Sequence, residues 1–447
     1  MRMNLLRRAL VLALCAALVM GVAAQGAGAE GVDLWLVTEE TTENGMNGAV
    51  RAQIDAFCQA HPEVSIRMDI LPNKEAERAE YLQELRQKIE SGAGPDLYLL
   101  PTGTVLTLDQ PLQYTYREID PLFPDVSAAM AAGSFADVSE YYRRDADLGV
   151  EALNTAVMDA GVPDGARYVL PLRYTMTALY AFDEKLPDAG ITPELLDQPV
   201  DAIMRQAVED GNVELARQVR SMGSSAFSNL PGSGKDALTA EQLADFLKDY
   251  QALIALLGGD NAYASRFSYF DFDAASAAPV YRGVIADALN FLAAAGASGQ
   301  SLSMHPLRTT AGDTLGLVTY YGAVGSGCEA PELAYEFLRQ FLTEDAQWEQ
   351  GRDMLNEESP MEGWPVRTVG SVRALWADAQ QSGKLPDLLP ADSDVPLVEM
   401  EPDVVRFPVE TGIAALEAQL NDAKNGNAPT DADLTALAEA FLKSYPE

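Results

Sequence analysis

The sequence predicts an α/β fold that is organised around a parallel sheet and divided into two lobes. The first observation is the order of patterns after residue 30, where short apolar runs typical of buried strands alternate with amphipathic segments of helical period. Two strand–helix–strand units in succession favour a parallel sheet with right-handed crossovers. The second observation is size, because 447 residues exceed one ordinary domain and 48 % hydrophobic residues can fill more than one core.

Each element has its own signature in the sequence. Residues 32–37 form a short, mainly apolar run, whereas apolar and polar residues alternate strictly from Val64 to Ile70. The helical segments repeat apolar residues every three or four positions, and the chain from about residue 193 to 257 is mainly of this kind. The predicted strands are 32–37, 64–70, 97–100 and 315–324, and the predicted helices are 45–60, 81–89, 241–257, 332–342 and 434–445.

A cleavable export signal is predicted at residues 1–29. The basic start carries Arg2, Arg7 and Arg8, the apolar part follows, and Ala27-Gly28-Ala29 supplies the small residues of a cleavage site. The apolar run is shorter than the ~20 residues that span a bilayer. Lipid attachment at Cys15 is the alternative, although Leu14 stands where lipoprotein signals have a small residue. We therefore expect an exported, extracytoplasmic protein that is cleaved after Ala29.

The charge balance excludes several kinds of partner. Acidic residues number 67 against 31 basic ones, and the formal net charge is −36. A surface this negative repels phosphate backbones and anionic lipids, which argues against nucleic-acid binding and membrane attachment. Outside the signal only Cys58 and Cys328 remain, and both a disulfide between them and two free thiols are open.

The inventory of catalytic groups is thin. The two histidines, His61 and His305, each directly precede a proline, and neither has a nucleophile as its sequence neighbour in a known motif. Residues 231–235 lack the spacing and the preceding strand of a phosphate loop, and residues 271–273 lack most of a calcium loop. We therefore predict a binding protein rather than an enzyme, with no cofactor and no metal.

Five short segments occur in a fixed order over about 310 residues, and it is their order that makes them specific. They are Phe57-Cys-Gln-Ala-His-Pro-Glu-Val-Ser-Ile66, Gly92-Ala-Gly-Pro-Asp96, Tyr168-Val-Leu-Pro171 with Ala178-Leu-Tyr180, Pro331-Glu-Leu-Ala-Tyr-Glu-Phe-Leu338, and Gly363-Trp-Pro-Val-Arg367. Together they resemble the family 1 extracellular solute-binding proteins, the carbohydrate group that includes maltose-binding protein. The sequence departs from that pattern at Phe182, where the family usually has Asn, and near residues 275–300, where its Gly-Lys-x-Ala-Met helix start is missing.

The resemblance implies a periplasmic-binding-protein-like fold, with two lobes that close around a ligand by hinge bending at three crossing segments. The N-terminal lobe would comprise residues 30–174 with 320–362, and the C-terminal lobe 175–319 with 363–447. Matching the motifs places the crossings near residues 173–177, 317–322 and 364–367. The implied partners are a small solute, a mono- or oligosaccharide, and the membrane permease of an ABC importer, with the protein itself a monomer.

Candidate ligand contacts lie at strand ends and crossings. A sugar site needs flat aromatic groups for the C–H face and planar polar groups for the hydroxyls. Open parallel sheets bind ligands at the carboxyl ends of their strands, where we place Trp35 of the first strand. Each candidate has a structural alternative, such as core packing of Trp35 or an ion pair of Arg173. Because neighbouring residues of a strand face opposite sides, one tyrosine of the Tyr320–Tyr321 pair is expected to face the cleft and the other the core. The candidates are Trp35, Glu39, Thr102, Arg173, Tyr174, Tyr321, Trp364 and Arg367.

Two other functions share this pattern. The closed form would report to a membrane receptor if the protein were a sensor, and an exported enzyme acting on polysaccharide would use two of the many carboxylates. The lack of a recognisable nucleophile-and-base arrangement disfavours the enzyme. Because Glu39, Arg173 and Arg367 are among the candidates, a charged sugar, a polyol or a peptide stays open as the ligand.

Overall fold

The computed structural model describes residues 31–39, 46–72, 74–102, 105–107, 117–220, 239–257, 279–284, 295, 299–344, 346–347, 363–367, 401–408 and 429–444. The predicted signal peptide with Cys15, and the segments 231–235 and 271–273, lie outside these residues.

Strands and helices alternate along the first hundred residues, and the second half of the described chain adds further strands of both directions. The strands are β1 (Val32–Glu39), β2 (Val64–Leu71), β3 (Leu97–Pro101), β4 (Val105–Thr107), β5 (Arg117–Ile119), β6 (Val169–Phe182), β7 (Val280–Val284), β8 (Leu302–Pro306), β9 (Leu315–Val324), β10 (Trp364–Pro365) and β11 (Val404–Arg406). The helices are α1 (Met46–Ala60), α2 (Glu75–Glu90), α3 (Val126–Ala131), α4 (Ser139–Arg144), α5 (Thr155–Asp159), α6 (Pro193–Leu196), α7 (Val200–Glu209), α8 (Val213–Arg220), α9 (Ala240–Leu256), α10 (Pro331–Arg339) and α11 (Asp431–Ser444).

The main sheet has the strand order β10-β6-β9-β3-β1-β2. β1 pairs in parallel with β2 and with β3, so the predicted parallel sheet is confirmed for the first two strand–helix–strand units. β9 lies antiparallel to β3 on one side and to β6 on the other. β11 pairs in parallel with the first residues of β9, and β4 and β5 form a separate hairpin.

A single strand, β6, belongs to two groups of strands. Its first half, Val169 to Met176, pairs with β9. From Thr177 onward β6 instead lies between β7 and β8, antiparallel to both. The partners of β6 therefore change between Met176 and Thr177, inside one uninterrupted strand of 14 residues.

Three apolar cores accompany this arrangement. Two of them lie on opposite faces of the main sheet, because adjacent residues of one strand divide between them: Leu36 packs in the first core and Val37 in the second core. The third core packs the second half of β6 against α7, α8, α9 and α11, with Leu179, Leu247 and Leu434 among its buried residues.

The amphipathic segments become helices close to their predicted bounds. The predicted helix 241–257 is α9, which begins with a capping box in which Thr239 accepts from the Gln242 N–H and Gln242 accepts from the Thr239 N–H. The predicted helix 81–89 is longer, since α2 begins at Glu75. Glu75 and Glu77 occupy its first turn, where carboxylates interact favourably with the helix dipole.

The two cysteines are free thiols, which decides between the alternatives left open by the sequence. Both are half-buried against the first core. Burial raises the pKa of the Cys328 thiol to about 12. The thiolate is the reactive form, so Cys328 is protected at neutral pH.

Cys328 is therefore expected to react with a disulfide reagent roughly 1,000-fold more slowly than free cysteine at pH 8, because its thiolate fraction is smaller by that factor. In the protein of residues 30–447 with Cys58→Ser, Cys328 is the remaining cysteine. The rate at which this variant reacts with dithiobis(nitrobenzoate) therefore reports on the Cys328 thiol. The matched Cys328→Ser protein isolates Cys58 under the same conditions. A Cys328 rate close to that of free cysteine would contradict the expectation.

Candidate functional site

The three segments predicted as crossings lie side by side in the sheet. Trp364 and Pro365 of β10 pair with Tyr174 and Arg173 of β6. On its other side, the same part of β6 pairs with Tyr320 and Val318 of β9. We call this three-stranded region, residues 173–174, 318–320 and 364–365, the crossing junction.

The ladder at the crossing junction is irregular. The register between β6 and β9 shifts once between Pro171 and Arg173 and again between Arg173 and Tyr174. Such irregularities bend a strand and increase its local twist. Gly363, which precedes β10, fits here with φ of +108°, and an added Cβ would lie 2.2 Å from Thr319 Oγ1 and 2.8 Å from the Tyr174 carbonyl oxygen. Only a glycine brings β10 this close to β6 and β9.

Two strand ends face each other beside β9. β3 pairs with Tyr320–Val324, whereas β11 pairs with Leu315–Leu317 from the opposite direction. Thr102, directly after β3, spans the gap: its N–H donates to the Thr319 carbonyl at 2.9 Å and its hydroxyl donates to the Val318 carbonyl. The carboxyl ends of β3 and β11 thus meet at the crossing junction, the position where α/β sheets bind ligands.

A row of half-exposed side chains runs across this position. The register places Thr175 of β6 beside Leu317 of β9, and Leu317 beside Arg406 of β11. All three residues are half-exposed, whereas most of their neighbours in the sheet are buried. We call Thr175, Leu317 and Arg406 the crossing row; it combines a hydroxyl, an apolar surface and a guanidinium.

Glu39 of the predicted set is held by a buried partner. Both Glu39 and Arg78 are only 2 % exposed, and the guanidinium meets the carboxylate with two bonds of 2.5 and 2.9 Å. Arg78 also donates to the carbonyls of Asp120 and Pro72, at 2.7 and 3.1 Å. Burial raises the pKa of Glu39 in spite of Arg78, which acts in the opposite direction. Glu39 is thus used to anchor α2 at the end of β1.

The residues predicted on β6 and β9 are buried in this conformation. Arg173 is 0 % exposed, and the phenol of Tyr174, in the first core, is hydrogen-bonded by Asn154. Tyr320 and Tyr321 separate to the two faces of the sheet, Tyr320 into the first core and Tyr321 into the second. The expectation that one of this pair faces the cleft is therefore not met, because both rings pack in cores. Burial raises the pKa of all three tyrosines.

The residues predicted at the third crossing are buried as well. Trp364 packs in the first core. Arg367 is directed away from solvent: its Nε donates to the Leu342 carbonyl at 2.5 Å and its Nη2 donates to the Leu148 carbonyl. Burial lowers the pKa of the Arg367 guanidinium. This arginine joins three chain segments through backbone oxygens.

The position predicted for Trp35 is wrong. β1 extends to Glu39, so Trp35 lies in the middle of the strand, opposite Arg67 of β2, and not at the carboxyl end. Its indole Nε1 donates to Asp69 at 2.9 Å, and the guanidinium of Arg67 lies 4.6 Å from the ring centroid. The half-exposed ring thus packs at the edge of the second core, between Arg67 of β2 and Lys88 of α2.

Among the eight predicted residues, Thr102 is the one that is both half-exposed and placed at the crossing junction. Sequence reasoning missed Thr175 and Arg406. Thr175 lies inside the predicted crossing 173–177, but a single threonine carries no sequence signal of ligand contact, unlike its charged and aromatic neighbours Arg173 and Tyr174. Nothing in the local sequence around Arg406 indicates a strand beside β9, so register alone reveals it.

Solved structures of other proteins share this arrangement over nearly the whole chain. A family 1 extracellular solute-binding protein from Alicyclobacillus acidocaldarius matches with a TM-score of 0.50 at 14 % identity, covering 94 % of this chain and 98 % of that one. An ABC substrate-binding protein from Listeria monocytogenes in complex with cycloalternan gives 0.53 at 13 % identity, covering 93 % and 99 %. A sugar transporter from Rhizobium etli in an open conformation gives 0.53 at 13 % identity, covering 92 % and 100 %.

This chain has the solute-binding-protein fold. The predicted α/β class and the family resemblance are confirmed at the level of the fold. No protein-family model and no curated protein sequence matches the chain, so the likeness is carried by structure. The structures that share the solute-binding-protein fold are described as binding and transport proteins rather than as enzymes. In the part of the chain that the structure describes, no helix is both long and apolar enough to cross a membrane.

Proposed function

We propose that this protein is the extracytoplasmic substrate-binding component of an ABC importer and captures a carbohydrate between two lobes. The observation that carries the proposal is the solute-binding-protein fold combined with the change of partners within β6. A strand whose halves pair with different strands and pack in different cores is a suitable connection for a hinge. Export with cleavage after Ala29, a monomeric state and a membrane permease as partner complete the proposal.

The lobes we propose follow the predicted division with two revisions. Residues 30–176 with 315–362 form the first lobe, because Met176 of β6 and Val318 of β9 pack in the cores of the main sheet, and residues 177–314 form most of the second. Packing supports placing residues 363–367 and 401–408 with the first lobe, because Trp364 lies in the first core and Phe407 in the second core of the main sheet. Leu434 of α11 packs in the third core, which supports keeping the last helix with the second lobe.

The ligand we propose is an uncharged mono- or oligosaccharide. Neighbouring structures are described with cycloalternan, with lacto-N-biose and with mannotriose. Glu39, which kept a charged ligand open at the sequence level, is paired with Arg78 and buried, and Arg173 is buried too. The crossing row and Thr102 offer hydroxyls, one guanidinium and an apolar surface, a mixture that suits sugar hydroxyls and C–H groups.

A panel of glycans tests the proposal on residues 30–447. Thermal unfolding would be followed with maltotriose, mannotriose, xylotriose and lacto-N-biose, and with glucuronate, sorbitol and a tripeptide as probes of other ligand classes. A neutral sugar at about 100 times its Kd is expected to stabilise the folded protein by about 2.7 kcal/mol. The radius of gyration from small-angle scattering should fall with the same sugar, since closure brings the lobes together. Stabilisation by none of the glycans, or only by the tripeptide, would count against a carbohydrate ligand.

The crossing row provides a mutational test of the same site. Thr175→Ala is expected to weaken binding of the selected sugar roughly tenfold, because one hydrogen bond of about 1–1.5 kcal/mol is lost. Thr435→Ala is the matched control, since Thr435 is exposed on α11 and its hydroxyl donates to the Asp431 carbonyl within that helix. Equal Kd values by titration calorimetry for both variants and the parent would place the sugar elsewhere.

A further inference from the structure

A chain of four polar side chains crosses the strand β8, away from the crossing junction. His305 Nδ1 lies 2.8 Å from Asp197 Oδ1, and His305 Nε2 lies 2.9 Å from Ser303 Oγ. Ser303 Oγ in turn lies 2.6 Å from Asp183 Oδ1. Ser303 and His305 are two residues apart on β8, so their side chains share one face of the strand.

The chain joins three separate pieces of backbone. Asp183 begins the 3-10 turn that follows β6, and Asp197 follows α6. Ser303 and His305 lie on β8, which pairs with the second half of β6. His305 is 7 % exposed, whereas the carboxylate of Asp197 is largely exposed. The imidazole is thus the enclosed centre of the chain.

The number of available hydrogens shows which protonation state of His305 satisfies all three contacts of these four side chains. Three contacts need three hydrogens, and ionised Asp183 and Asp197 supply none. Ser303 supplies one, and a neutral imidazole supplies one more, which leaves one contact as two facing lone pairs. An imidazolium supplies two, one on each ring nitrogen, and completes all three contacts. The charged ring also lies between two carboxylates, Asp197 in direct contact and Asp183 through the Ser303 hydroxyl.

We propose that His305 is a proton-dependent latch, which as an imidazolium ties the end of β6 and the end of α6 to β8. The latch adds stability when the ring is protonated and loses that contribution as pH rises and the ring becomes neutral. The described charged groups that face the ring are Asp197 and, through Ser303, Asp183. Nearby Glu184 accepts from Ser301, and Arg308 donates to the Gly312 carbonyl, so both have other partners.

The same atoms resemble a Ser–His–Asp hydrolase triad, but the second carboxylate makes them unsuitable for that role. A triad histidine has to be neutral to take the serine proton. Here Asp183 accepts the hydroxyl hydrogen of Ser303 and places a negative charge 2.6 Å from the oxygen that would have to become a nucleophile. The arrangement therefore favours a stable charged chain over acyl transfer.

Thermal unfolding of residues 30–447 at pH 5 and at pH 8 tests the latch. We expect the melting temperature of the parent to exceed that of His305→Gln by about 1–3 °C at pH 5, since the shift from one interaction becomes smaller as chain length grows, and by much less at pH 8. His61→Gln removes the other histidine of the chain and should leave this difference in place.

Asp183→Asn separates a proton latch from a merely structural histidine. The amide donates to Ser303, the hydroxyl then donates to Nε2, and a neutral ring donates to Asp197, so all three contacts form without the extra proton. In the Asp183→Asn background, the melting temperature lost on His305→Gln is expected to be the same at pH 5 and pH 8, and Asp183→Asn itself should melt no lower than the parent at pH 8. A His305→Gln effect that is equal at pH 5 and pH 8, or labelling of Ser303 by a fluorophosphonate, would overturn the proposal.

Discussion

Replacing Arg78 with methionine is expected to lower the free energy of unfolding by about 3–5 kcal/mol, because it leaves the buried carboxylate of Glu39 without its counter-ion. The guanidinium supplies two bonds to Glu39 and two to backbone oxygens, and both side chains of the pair are 2 % exposed. Urea unfolding of residues 30–447 measures the loss. Arg86→Met is the matched control: Arg86 lies on the same helix and donates to the carbonyls of Pro121 and Leu122, but among the described residues no buried carboxylate is its partner.

The cost of Arg78→Met should depend on pH in a defined direction. Burial already raises the pKa of Glu39, and removal of the guanidinium takes away the main influence that lowers it. A raised carboxyl pKa favours the folded state at low pH and loses that contribution as pH rises. The variant should therefore be closer to the parent at pH 4 than at pH 8. Adding Glu39→Leu should recover much of the stability, and a double variant no more stable than Arg78→Met would contradict the buried-charge explanation.

Gly363→Ala is the second change with a large expected effect, a loss of about 3–5 kcal/mol in the free energy of unfolding from backbone strain and overpacking together. The φ of +108° is unfavourable for any side chain, and the new Cβ would lie 2.8 Å from the Tyr174 carbonyl oxygen and 2.2 Å from Thr319 Oγ1. Relief of these contacts would require β10 to move away from β6. Urea unfolding monitored by tryptophan fluorescence should report this, since Trp364 is the next residue.

Gly211→Ala is the matched control for strain without crowding. Gly211 has φ of +64°, and an added Cβ would meet nothing within 4 Å. Its substitution is expected to cost only about 1–2 kcal/mol, the penalty of a left-handed conformation alone. Equal losses for Gly363→Ala and Gly211→Ala would show that the close approach at the crossing junction has no energetic weight.

The sequence predicts the elements well where a segment is continuously apolar or has a clear helical period. The strand predicted at 315–324 is found with the same bounds as β9, and helix 241–257 is displaced by one residue. β9 is buried on both faces and is apolar along most of its length, whereas the helix buries every third to fourth residue. β11 has three residues, all half-buried, and so short a segment has no period to detect.

The candidate site was harder to predict because proximity to a crossing does not decide where a side chain points. Tyr174 and Trp364 pair with each other in the crossing junction, yet both rings are buried in the first core. Glu39 ends β1, where a ligand residue is expected, but it is paired with Arg78, which is 39 positions away on α2. Pairings of this kind depend on tertiary packing, whereas strand periodicity reports only local structure.

The membership of β6 in two groups of strands also bears on how accurately the chain must align during folding. Side chains alternate along a strand, so a slip by one residue would exchange its faces. In β6 the same slip would remove Leu172 from the first core and Leu179 from the third, since one continuous backbone carries both. A misaligned β6 is therefore penalised in two places at once, and correct pairing with β9 also aligns β7 and β8.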